Sequence, residues 1–207
     1  MPTIAQRERT ELTELALRSG PEAPTLCGEW TVRDLLAHLV LRERRLDAAP
    51  GILLSPLAGY TQKVQDGLAA RDFDELVDDV RGGPPFWSPF RLLDSQVNAM
   101  ELFVHHEDVR RAAPGWQPRL LPATQQQDLW GKLKAVGRLG YRRSPVGVVL
   151  QRTSGAQMTA KKGPRTVTLI GEPAELLLHA MGRDEVRIDT RGDQADVDTV
   201  LHLERSF

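Results

Sequence analysis

Glu101 and His105 stand four residues apart in the stretch "NAMELFVHHEDVRR", residues Asn98 to Arg111. On a helix that spacing stacks a carboxylate and an imidazole one turn apart on the same face. Stepping by four and three from Asp94 gives Asn98, Glu101, His105 and Asp108, a stripe that is polar throughout. The adjoining stripe of Val97, Met100 and Val104 is apolar and faces the packed side of the helix. Glu101 and His105 therefore fall at the rim of that packed side or within it. A carboxylate oxygen and an imidazole nitrogen so placed can share one divalent metal ion. Two ligands do not complete a site, because a catalytic zinc takes three protein ligands and keeps one position open. The third candidate is His38, which sits inside the apolar run "DLLAHLVL".

Each of these residues also has a plainer reading. A histidine in an apolar run can simply be hydrogen-bonded within the core, and a Glu-x-x-x-His pair can lie on a solvated face. His106 lies about 100° round the helix from His105, with Leu102 and Val109, and serves as a control position. Asp34 precedes His38 by one turn, but its place three residues after Thr31 suits a capping box. Asp108 either accepts from the second nitrogen of His105 or faces water. Cys27 is a reactive thiol at the start of a helix or a small half-buried residue. Arg42 and Arg45 follow His38 by four and seven, either gripping an anionic or polyhydroxylated substrate at a cavity mouth or lining a solvated helix end. His179 and His202 show no partner set.

These residues need helices to hold them. "IAQRERTELTELALRSG" carries Ile4, Leu12, Leu15 and Leu17 at near-helical spacing and stops at Gly20-Pro21. A second helix starts at the Thr31 cap and runs to Pro50-Gly51. A third spans about Ser55 or Thr61 to Val80, and a fourth about Ser88 or Leu92 to Ala112. Beyond Pro114 the pattern changes. One more helix, over "QQQDLWGKLKAVGRLG", is followed by the strands "VGVVLQRT", "AQMTA" and "RTVTLIG", the short helix "PAELLLHAMGR", a strand "EVRIDT" and a last helix "DVDTVLHLE". The expected fold class is α+β: a four-helix bundle over residues 1–115, then a small α/β module over 116–207.

Composition bounds the function. The chain has 207 residues, 41% of them hydrophobic and 27% charged, with a formal net charge of -1. That balance gives no general field toward nucleic acid or an anionic membrane. The first twenty residues are too polar for a secretory leader. The single cysteine excludes an internal disulfide framework and a cysteine-built zinc cage. The cytoplasm is the expected compartment.

"GEWTVRDLLAHLVLRERR" and "MELFVHHEDVRRA" together resemble the DinB-like superfamily, in the branch of mycothiol-dependent maleylpyruvate isomerase and its uncharacterised metal-binding relatives. The pattern W-[ST]-x-x-[DE]-L-x-x-H-L runs here from Trp30 to Leu39, and E-x-x-x-H from Glu101 to His105. The tail "VTLIGEPAELLLHAMGR" is similar to the C-terminal segment of the same branch. The resemblance implies a DinB-like bundle in which His38, Glu101 and His105 bind a divalent metal, usually zinc. It implies mycothiol as cosubstrate, its thiol activated by the metal, and an electrophilic small molecule as substrate for a transferase or isomerase. Arg42 is the candidate contact to the thiol cosubstrate. A non-catalytic metal- or ligand-binding protein of the same fold is the alternative.

Overall fold

The structure is a computed structural model that describes residues 3–52, 54–86, 88 and 98–205. The chain divides into two compact units, Met1–Trp116 and Gln117–Phe207.

The first unit is helical. Helix α1 (Ile4–Ser19) opens on a capping box made by Thr3 and Gln6 and ends at Gly20. Helix α2 (Val32–Arg44) opens on a second capping box, in which Thr31 and Asp34 satisfy each other's backbone amides. Asp34 is thus a cap. Helix α2 ends at Arg44, six residues before the Pro50 of the Pro50-Gly51 boundary that the sequence suggests. Ala49–Ile52 instead forms a separate turn of 3-10 helix. The expected single third helix is two, α3 (Ala58–Ala69) and α4 (Phe73–Gly82). Asp72 makes the break, because its side chain accepts from the amides of Asp74 and Glu75 and starts a new helix. Helix α5 (Ala99–Arg111) carries the Glu101–His105 stretch. The expected start of that helix near Leu92, and the stripe positions Asp94 and Val97, lie outside the described residues.

Helix α1 packs on α4 and α5, and α2 on α3 and α4. Leu12, Ala16, Leu35, Leu36, Leu39, Val40, Leu76, Val77, Val80 and Leu102 form the shared core. Helix α2 is buried on nearly every side, His38 and Glu43 included, as a central helix must be. Glu43 is held by Arg9 of α1 through two parallel bonds of 3.0 and 2.6 Å, and Arg9 also donates to the carbonyl of Val80 at the end of α4. One buried pair thus ties three helices together. Among the described residues no helix is long and apolar enough to cross a membrane.

In the second unit, helix α6 (Ala123–Gly140) precedes strands β1 (Gly147–Arg152), β2 (Gln157–Lys161) and β3 (Thr166–Gly171). Helix α7 (Pro173–Ala180), strand β4 (Asp189–Arg191) and helix α8 (Gln194–Leu201) complete it. The sheet order is β2-β1-β3-β4; β1 is antiparallel to β2 and parallel to β3. Val148 and Leu150 of β1 and Val167 and Leu169 of β3 point into the core, the alternation expected of a sheet with one covered face. Helix α6 crosses α7 so closely that a side chain at Gly140 would meet the carbonyl of Ala180 at 2.1 Å.

His179 has a partner after all. Its Nδ1 meets the buried Tyr141 hydroxyl at 2.6 Å, and its Nε2 is buried with no hydrogen-bond partner among the described residues. Burial, with the nearby Arg205 guanidinium, pushes His179 down to about 3. The unfolded chain, with an ordinary histidine, binds that proton far more readily, so stability rises with pH over this range. The loss begins as pH falls below about 6.5 and continues toward 3. At pH 5 it amounts to about 2 kcal/mol. Thermal melts at pH 7 and pH 5 should show this drop, and His179→Gln should narrow the gap between them.

Candidate metal centre

Helices α2 and α5 bring His38, Glu101 and His105 to one point. His38 Nε2 lies 3.7 Å from Glu101 Oε1, and His105 Nε2 lies 3.3 Å from the same oxygen. One donor atom from each of the three residues falls within 4.8 Å of the others. Tetrahedral zinc with bonds of 2.0 to 2.2 Å spaces neighbouring donors by about 3.3 to 3.6 Å. Two imidazoles and a carboxylate at these separations fit a zinc-like ion. Both histidines are buried, whereas Glu101 keeps 21% of its side chain exposed and marks the open side.

His105 is gripped from behind. Its Nδ1 donates to Asp108 Oδ2 at 2.9 Å, which turns Nε2 toward Glu101. Asp108 is fully buried and also accepts from Cys27 Sγ at 3.1 Å; that sulfur is 3.7 Å from His105 Nδ1. A carboxylate behind a metal-binding imidazole fixes its tautomer and raises its basicity. Burial alone would lower His105, but Asp108, Cys27 and Glu101 outweigh it and raise the group well above the ordinary histidine value. Burial likewise works against the Glu101 carboxylate, yet the two histidines hold it well below the usual carboxylate range. His38 is lowered, chiefly by burial. The shifts of His105 and Glu101 both favour their charged forms, while burial favours the neutral form of His38. A cation held here would displace a proton from His105.

Arg42 stands one turn after His38 with its Nη1 on Asn98 Oδ1 at 3.1 Å and its Nε 3.8 Å from Glu101 Oε1. It is held at the rim of the three-residue cluster. Arg45 lies beyond the helix, clamped to Asp47 and Tyr60 at the surface. His106 faces away from the centre and meets Glu8 of α1 at 2.9 Å, with Glu11 at 3.9 Å. His202 bonds the carbonyl of Asp198. Two contacts here were not legible in the sequence: Glu8 behind His106, and Cys27 on the Asp108 that supports His105. Their only signals were one acid in a helix read as amphipathic and a lone cysteine in a loop.

Residues 3–84 match the family described as the mycothiol maleylpyruvate isomerase N-terminal domain. A crystal structure of the mycothiol-dependent maleylpyruvate isomerase superposes with a TM-score of 0.61 and 15% identity, covering 90% of each chain. The fold is that of this isomerase. A histidine-to-alanine mutant of the mycothiol-dependent maleylpyruvate isomerase matches equally well, with a TM-score of 0.62, 13% identity and 90% of each chain covered. The resemblance to this DinB-like branch, carried in the sequence by two short motifs, is borne out. No curated protein matches the sequence. The domain match ends at residue 84, so of the three clustered residues it includes only His38. Glu101 and His105 are brought to the site by α5.

Proposed function

We propose that His38, Glu101 and His105 hold a divalent metal, zinc in the first instance, and that the protein uses mycothiol in a transferase or isomerase reaction on an electrophilic small molecule. The observation that carries this reading is the approach of two imidazole nitrogens to one carboxylate oxygen, at 3.7 and 3.3 Å, between two helices. When bound, the metal supplies a Lewis acid that keeps a thiol deprotonated at neutral pH. The donor set is two neutral imidazoles and one carboxylate, so a divalent ion there retains a charge of about +1. That favours an anionic fourth ligand. Arg42 adds a second positive charge at the rim, on the side where a thiolate or an acidic substrate group would approach. Asp108 takes the Nδ1 hydrogen of His105 and keeps Nε2 aimed at the ion. The reaction needs no protein nucleophile, since the cosubstrate brings its own. The two mycothiol-dependent isomerase structures and the domain match over residues 3–84 support the choice of thiol. The cytoplasm, where such a thiol is abundant and reduced, is the compartment this reading requires.

Calorimetric titration of the zinc-loaded protein with mycothiol tests the reading. Saturable binding below millimolar thiol, absent from the metal-free protein, is expected. No binding at millimolar thiol would leave a metal-binding protein without this chemistry.

A further inference from the structure

The two histidines of the centre are supported in different ways. His105 has the Asp108 carboxylate behind it. His38 has no counterpart: the Glu101 carboxylate faces its Nε2, and its Nδ1 meets no hydrogen-bond partner among the described residues. Its ring instead packs against two others. The half-buried Trp30 indole is 5.1 Å away, centroid to centroid, tilted at 44°, and the His105 ring is 5.5 Å away on edge.

Trp30 is itself fixed. Its amide donates to the carbonyl of Cys27 at 3.2 Å, and its carbonyl accepts from Thr25 Oγ1 at 2.8 Å. The same loop is pinned to α5, where the Leu26 amide donates to the carbonyl of Asp108 at 3.1 Å and Cys27 Sγ donates to its carboxylate. The loop between α1 and α2 therefore reaches both histidines from outside, through Cys27 and Asp108 to one and through Trp30 to the other.

We infer that Trp30 is a positioning residue for the metal centre, its indole packing at a tilt against the His38 imidazole and setting that ring's orientation where Nδ1 has no hydrogen-bond partner among the described residues. A metal-binding histidine ordinarily has its second nitrogen fixed by a hydrogen bond, and losing such support lowers metal affinity by about ten- to a hundredfold. A ring held by packing and by its Nε2 contact to Glu101 alone can turn about its two side-chain torsions once the packing partner is gone. It then has to be ordered again each time an ion binds. The inference rests on the proposed metal reading and adds the residue that tunes it.

The test compares Trp30→Leu, Trp30→Phe and wild-type protein. Leucine restores apolar bulk without a flat face; phenylalanine restores the face. Zinc affinity is read by competition with a chromophoric chelator, and geometry by the visible absorption of the cobalt-substituted proteins. Trp30→Leu should bind zinc about tenfold or more weakly and give an altered cobalt spectrum. Trp30→Phe should stay within about threefold of wild type with the wild-type spectrum. Wild-type affinity and spectrum in Trp30→Leu would overturn the inference while leaving the metal site standing. So would equal losses in the two variants, because a filler role does not distinguish them in that way. Absence of zinc binding by the wild-type protein would instead overturn the metal reading, and this inference with it.

Discussion

His38→Ala and Glu101→Ala should each leave the purified protein without its metal. Elemental analysis of the wild type should find close to one divalent ion per chain, and each substitution should reduce this to background after mild dialysis. Loss of a direct ligand weakens a three-residue site by more than the ten- to hundredfold typical of its supporting groups. A drop of at least a hundredfold in zinc affinity is therefore expected. His106→Gln is the control. It lies next to His105 in sequence but faces Glu8 on the other side of α5, so it should keep its metal. Full occupancy in both His38→Ala and Glu101→Ala would remove the basis of the site. Thiol binding should disappear in step with the metal.

The second large effect concerns the fold that carries His38. Glu43→Ala should destabilise the helical unit by about 3 to 5 kcal/mol, because it leaves the Arg9 guanidinium buried without its carboxylate. In a domain of this size that lowers the melting temperature by roughly 15 °C. Replacing both partners, as Arg9→Met with Glu43→Leu, should recover most of the loss, since two apolar side chains carry no stranded charge. Chemical denaturation of the metal-free proteins checks both expectations without interference from bound ion. If Glu43→Ala cost less than 1 kcal/mol, the pair would not be the buried tie between α1, α2 and α4 described above.

The sequence made some of this legible and hid the rest for physical reasons. Capping residues and apolar period set the start of α2 and the end of α1, because both depend on neighbours in the chain. The grouping of Asn98, Glu101, His105 and Asp108 followed from helical geometry alone, and the apolar run around His38 marked it as buried. Contacts between distant segments were not legible. Glu43 sits in the run "RERR", which reads as a solvated helix end, yet Arg9 draws it into the core. Glu8 looked like one more charge on α1 until α5 brought His106 against it. The break at Asp72 was missed because the apolar spacing of Val64, Leu68, Phe73 and Leu76 continues across it, while the cap that ends the pattern is a single side chain. Arg205 gave no signal at all. It donates to the carbonyls of His179, Val200, Leu201 and Leu203 and pairs with Asp184, closing the ends of α7 and α8.

The exposed carboxylate edge of Glu101 and the fixed Nε2 of His105 have a consequence for metal choice. Two imidazoles and one oxygen suit zinc, and also cobalt and nickel, whose affinities for such donors follow the usual divalent order. Under the proposed reading, the ion bound in the cell would depend on supply as well as on the site.

The most direct measurement is an anomalous-difference map from crystals of the protein as purified, collected on both sides of the zinc absorption edge. One peak is expected between α2 and α5, within bonding distance of His38 Nε2, His105 Nε2 and the Glu101 carboxylate. A protein crystallised with zinc that shows no peak there, or shows its peak at Glu8, Glu11 and His106, would contradict the proposed site.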